Sequence, residues 1–129
     1  MPDHAHHRPV ILLVEEETHE RAAITEHLQQ AGYAVLEASD TDQALAYLGR
    51  SQVEGLVTDA HVPGEIDGVE LAARVRREHP GAAVVLMSGH SDASSGPVPE
   101  GAEFVGKPYL TTQLVPALDR LIRGGAGAA

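Results

Sequence analysis

The chain has no cysteine, no tryptophan, and in 129 residues only one lysine, Lys107. Without cysteine there are no disulfides and no thiolate metal sites, which fits a reducing compartment. The aromatics are Tyr33, Tyr47, Phe104 and Tyr109, so a core has to be built from Val, Leu, Ile and Ala. No segment approaches the about 20 consecutive apolar residues of a membrane span, and no membrane association is expected. The opening residues are polar and rich in His, with no apolar signal-peptide core, so the expected location is cytoplasmic. Basic residues are scarce as well: nine against nineteen acidic ones, a net charge of −10. Nucleic acid is therefore not an expected partner, because phosphate contacts need clustered Lys and Arg. Arg74, Arg76 and Arg77 fall on an expected helix and read as a solvated face.

What is present is a series of short apolar runs. Val10-Ile11-Leu12-Leu13-Val14 and Ala82-Ala83-Val84-Val85-Leu86-Met87 are nearly continuous, as in strands buried on both faces of a parallel sheet. Shorter candidates are 34–36, 55–58 and 103–105. Helical spacing lies between them. Residues 17–31 put Ile24, Leu28 and Ala31 on one face, with Gly32 as the stop. Asp40 and Asp67 stand where N-caps are needed, and Thr111 or Thr112 is expected to cap a last helix carrying Leu114, Leu118, Leu121 and Ile122.

Strand alternating with helix over short connections predicts an α/β fold. The expectation is a flavodoxin-like five-stranded parallel sheet, order 2-1-3-4-5, with helices on both faces. The interval 91–101 should hold the fourth helix. It carries Gly96, Pro97, Pro99 and Gly101, so that helix is expected to be short or irregular. The boundaries expected are a disordered tail over 1–8, one domain over 9–123, and a flexible tail over 124–129.

Ligands of such sheets bind beyond the carboxyl ends of the strands. Glu15, Glu16 and Glu17 follow the first strand, Asp59 the third, Ser88 the fourth, and Lys107-Pro108 the fifth. Acids gathered beside one cation suit a hard divalent ion such as Mg2+, which needs only one or two carboxylates. Each acid also has a plainer reading. An acid after a strand often caps the next helix, the expected role of Glu17 and Glu20, and Asp59 could form an Asx turn.

The ordered set of segments resembles the receiver domains of bacterial two-component response regulators. Ile11-Leu12-Leu13-Val14-Glu15-Glu16-Glu17 is similar to their acidic opening, and Leu56-Val57-Thr58-Asp59-Ala60-His61-Val62-Pro63-Gly64, with Asp67-Gly68, to their phosphoacceptor segment. Val84-Val85-Leu86-Met87-Ser88-Gly89 resembles the hydroxyl-bearing fourth strand, and Phe104-Val105-Gly106-Lys107-Pro108 the fifth. The likeness runs from about residue 9 to residue 122.

The resemblance implies that Asp59 is the nucleophile that forms an aspartyl phosphate. It implies that Glu15, Glu16, Asp59 and the backbone carbonyl of His61 bind Mg2+. Ser88 and Lys107 would contact the phosphoryl group, and Ser88 and Phe104 would form the switch pair. The implied function is a stand-alone phospho-accepting module. A sensor histidine kinase or a histidine phosphotransfer protein would supply the phosphoryl group, and a downstream protein target would read it. The module is not expected to be an enzyme beyond its own phosphorylation and dephosphorylation. Glu16 stands where the family usually has Asp, one methylene shorter. That departure favours the alternative, a pseudo-receiver that binds partners without being phosphorylated. An aspartate-nucleophile phosphatase is disfavoured, because Asp59 follows the third strand and His61 stands where a second Asp would be needed. His61 and His90 read as variable neighbours of the site.

Overall fold

The structure is a computed structural model that describes residues 7–88, 98–106 and 110–124. Five strands, β1 (Val10–Val14), β2 (Ala34–Ala38), β3 (Gly55–Asp59), β4 (Ala83–Ser88) and β5 (Glu103–Gly106), form one parallel sheet in the order β2-β1-β3-β4-β5. The helices among the described residues are α1 (Thr18–Gln30), α2 (Thr41–Arg50), α3 (Gly68–Glu78) and α4 (Leu110–Asp119). The expected class, strand order and placement of helices on both faces are all present.

Side-chain alternation along the strands divides the apolar residues between two layers. Ile11 and Leu13, Val57, Val85 and Met87 pack under α1 and α4 with Ile24, Leu28, Leu114 and Leu118. Leu12 and Val14, Leu56, Val84 and Leu86 pack under α2 and α3 with Ala44, Leu71, Ala72 and Val75. The continuous apolar runs are therefore strands covered on both sides.

Acidic side chains start three of the helices. Glu17 accepts from the Glu20 amide at 2.7 Å, Asp40 from Gln43 at 2.7 Å and Asp67 from Glu70 at 2.8 Å. Each satisfies a backbone N–H that has no partner within the helix. The last helix departs from expectation. It begins at Leu110, ahead of Thr111 and Thr112, and it contains Pro116. Proline provides no N–H for an i→i−4 bond, and the chain passes into a π-helical turn at Arg120–Gly124.

The expected irregular interval between β4 and β5 lies mostly outside the described residues. Its described end, residues 98–102, is a turn in which the Ala102 amide bonds to the Pro99 carbonyl at 3.0 Å. Arg76 holds this turn. Its Nε donates to Glu100 O at 3.1 Å, and its Nη1 donates to Pro80 O at 3.0 Å and Ala82 O at 3.3 Å. Of the arginine cluster read as a solvated face, Arg77 is exposed, whereas Arg76 is a tether between α3 and the strand ends.

At the opposite end of the strands from the acidic connection, Tyr33 is fully buried and its hydroxyl donates to Asp119 at the end of α4. The Arg123 guanidinium lies 5.0 Å from the Tyr33 ring centre and pairs with Asp119 at 3.5 Å. Burial, the hydrogen bond to Asp119 and that carboxylate's charge together push the Tyr33 phenol well above its ordinary value, with Arg123 opposing them. The raised native pKa has a linkage consequence. Below about pH 10, the ordinary phenol pKa, the phenol is protonated in both native and unfolded chains, and its contribution is fully present. Above that, the unfolded chain loses the proton first, so stability falls as pH rises. Tyr33→Phe is expected to cost about 1.5–3 kcal/mol at neutral pH, the value of a hydrogen bond to a charged group. It should also flatten the alkaline decline between pH 9 and 11. Denaturant melts across that range check both effects, and an unchanged alkaline slope would assign the decline to other groups.

Candidate functional site at the carboxyl ends of the strands

The parallel register brings the sequence-predicted residues to one end of the sheet. Val14 pairs with Thr58, Asp59 with Met87, and Ser88 with Gly106. Glu15, Asp59 and Ser88 therefore stand at the carboxyl ends of three adjacent strands. Lys107 follows β5 by one residue and lies outside the described residues, as do Gly89 and His90.

Glu15 is 3 % exposed, whereas Glu16 is open to solvent. A buried carboxylate needs partners. One Glu15 oxygen accepts from the Glu17 amide at 3.1 Å, and the Glu15 amide donates to Ala38 O at 3.0 Å. Glu17 closes the connection by capping α1. The three consecutive acids thus have three different environments: a buried carboxylate, an exposed one and a helix cap.

Asp59 is half-buried at the end of β3. Its Oδ1 accepts from the His61 amide at 2.9 Å, the Asx-turn geometry, and this bond orients the carboxylate. The backbone around it is pinned: Ala60 N donates to Met87 O at 2.8 Å, and Gly68 N to Ala60 O at 3.1 Å. Gly68 admits no side chain, because a Cβ there would sit 1.9 Å from Asp59 O and 3.0 Å from Ala60 Cα.

The loop beyond His61 is held from α2. The fully buried Thr41 donates its hydroxyl to Ile66 O at 2.8 Å and its amide to Pro63 O at 2.9 Å. Gly64, at φ +133°, faces that hydroxyl where a Cβ would come within 1.9 Å of it. Thr41 was not identified from sequence. The signal that could have found it is a Thr directly after an N-cap, facing a loop rich in Pro and Gly. Ser88 is fully buried at the end of β4, and Phe104 on β5 is 38 % exposed.

Among the described residues, no three His, Cys, Asp or Glu side chains gather closely enough to hold an ion as a protein-only cage. The donor set at the strand ends is instead carboxylate and carbonyl oxygen, with exposed space beside Glu16 and His61. That chemistry suits Mg2+, which is bound by one or two carboxylates and keeps several waters.

A doubly covered parallel sheet of order β2-β1-β3-β4-β5, with acids and a hydroxyl at its carboxyl ends, defines a flavodoxin-like α/β domain, and comparison places it further. Residues 11–119 match the response regulator receiver domain family, and the chain belongs to that family, the receiver domains of two-component systems. It is 31 % identical over 116 residues to the nitrogen assimilation regulatory protein NtrX of Azorhizobium caulinodans, covering 87 % of this chain and 26 % of that protein. It therefore spans about a quarter of the length of that regulator. The response regulator receiver protein CpdR of Brucella abortus is 28 % identical over 115 residues, covering 87 % of this chain and 95 % of that protein. The crystal structure of the response regulator TrrA of Thermotoga maritima, in complex with Mg(2+)-BeF, superposes with TM-score 0.78 at 27 % identity, covering 88 % and 98 % of the two chains. No helix among the described residues is long and apolar enough to cross a membrane.

Proposed function

We propose that this receiver domain accepts a phosphoryl group on Asp59 from the phosphohistidine of a kinase or phosphotransfer protein and passes the signal on by protein contact. The observation that carries the reading is the placement of Asp59 at the carboxyl end of β3, in register beside β1 and β4, with its carboxylate oriented by the His61 amide. An Asp59 carboxylate oxygen attacks phosphorus. The P–O bond forms as the donor's P–N bond breaks, and the imidazole leaves with the electron pair.

Attack of one anion on another is opposed by charge, so the site must neutralise the transferring oxygens. Bound Mg2+ would supply that neutralisation, and Glu15, Glu16, Asp59 and the His61 carbonyl are the oxygens that would hold it. The Ser88 hydroxyl and Lys107 take the remaining phosphoryl oxygens as hydrogen-bond and charge partners. Phosphorylation draws Ser88 toward the site and lets Phe104, partly exposed in the structure, move inward. That population shift changes the surface offered to a downstream protein. The domain is not an enzyme toward other substrates, and the cytoplasm is its proposed location.

The test is incubation with magnesium and acetyl phosphate followed by intact-mass measurement. A gain of one phosphoryl group is expected, and it should be lost when EDTA replaces magnesium. No gain, together with amide spectra around Glu16, Asp59 and His61 that saturating magnesium leaves unchanged, would favour the pseudo-receiver. The exposed Glu16, longer than the usual Asp, is the feature behind that second reading.

A further inference from the structure

We infer that Arg21 is a positioning residue for the acidic connection between β1 and α1, holding the Glu15 and Glu16 backbone in the shape that offers their carboxylates to a divalent cation. The inference rests on the metal-site reading above. Arg21 lies one turn into α1, and its amide donates to Glu17 O at 2.9 Å. Its side chain turns back under the connection. Nη1 donates to Glu15 O at 2.8 Å and to Glu16 O at 3.3 Å, while Nε donates to Glu37 on β2 at 3.1 Å. One planar group thus spans β2, the connection and α1.

Three consecutive acids make this connection prone to open. Their carboxylates repel, and the Glu15 and Glu16 carbonyls sit between the strand ladder and the helix, whose first bond goes to Glu17 O. Arg21 gives two of those carbonyls a charge-assisted donor. The guanidinium fork suits the task because its donors point in fixed, different directions, which a lysine ammonium does not reproduce. Glu37 sets the plane of the fork. The Arg21 side chain is 18 % exposed and that of Glu37 is 42 % exposed, so the pair itself adds little stability. Its consequence is orientation. Groups that orient metal-binding residues are part of a metal site's affinity even without touching the ion.

Charge alone and positioning predict opposite signs. Removing a cation from beside a cation-binding site should tighten Mg2+ if only Coulomb repulsion is lost. Loss of positioning should weaken it. The experiment is a magnesium titration read by amide shifts, with denaturant melts alongside, on wild type, Arg21→Met, Glu37→Gln, Glu37→Ala and, as a remote destabilised control, Tyr33→Phe. Arg21→Met is expected to raise the Mg2+ Kd roughly tenfold, in the range of orienting partners in metal sites. Glu37→Gln keeps an oxygen acceptor for Nε and should bind more tightly than Glu37→Ala, although both lose the same charge. Tyr33→Phe should leave the Kd unchanged.

An Arg21→Met Kd within twofold of wild type, or below it, overturns the inference. So does equal binding by the two Glu37 variants, which stays decisive if Arg21→Met does not fold. A control that loosens magnesium as much as Arg21→Met would mark the effect as general destabilisation and also overturn it. Wild type that binds no magnesium would defeat the metal-site reading and the inference together. Wild-type binding with an unaffected Arg21→Met defeats the inference alone.

Discussion

Asp59→Asn is expected to abolish the gain of one phosphoryl group that the wild-type domain acquires from acetyl phosphate and magnesium. The substitution is close to isosteric. An Asn side-chain oxygen can still accept from the His61 amide, as Asp59 Oδ1 does at 2.9 Å, so the β3–α3 loop should keep its shape. What is lost is the anionic nucleophile, since an amide has no ionised oxygen to attack phosphorus. Loss of labelling with the denaturation midpoint nearly unchanged would place the chemistry on Asp59. Undiminished labelling of the Asn variant would move it to another acid at the same end of the sheet, with Glu15 and Glu16 the nearest in register. Lys107→Ala supplies a complementary check: it should impair signalling more than it impairs stability, because its proposed partner is the phosphoryl group.

Gly68→Ala is expected to destabilise the domain by roughly 2–3 kcal/mol, the upper part of the range for a side chain forced into filled space. The added methyl would lie 1.9 Å from Asp59 O and 2.8 Å from Asp59 C. These are backbone atoms of a strand end, not the far end of a side chain that could swing aside. Relief requires α3 to retreat from β3, which strains the 3.1 Å bond from Gly68 N to Ala60 O and shifts the carboxylate that follows Thr58. The variant should therefore lose phosphorylation rate as well as stability. Denaturant unfolding and a labelling time course read the two losses separately. Unaltered stability would show that the loop relaxes freely and that the close approach places no constraint on Asp59.

Much of this fold is legible in the residue pattern because its physical causes are local. The run Val10–Val14 cannot be amphipathic, so it must be covered on both faces, and it is. Asp40 and Asp67 precede helical spacing and cap those helices through their own side chains. The start of the last helix differs from the expected Thr cap for a local reason too. A Thr-Thr pair looks like a cap, but helical geometry already begins at Leu110 and extends past Pro116, where packing of Leu114 and Leu118 against the sheet outweighs the propensity of a single residue. Arg76 departs from the solvated face that its helix position suggests. Its carbonyl partners on Pro80, Ala82 and Glu100 come from segments that follow it in the chain and fold back over it.

The candidate site divides along the same line. Alternation of strand and helix, together with the right-handed crossover that parallel strands require, already sends residues 15, 59 and 88 to strand ends on one side, because each ends or follows a strand running in the same direction. Sequence by itself therefore determined which side chains could meet. Only the tertiary structure decided their states. It buries Glu15 while leaving Glu16 in solvent, presses Gly68 against the backbone of Asp59, and ties the loop after His61 to Thr41. It also turns Arg21 back under two carbonyls of the acidic connection. The physical reason is that burial, close approach and long-range hydrogen bonds depend on which segments pack together in space, whereas periodicity and capping act over a few residues of the chain and can be read along it.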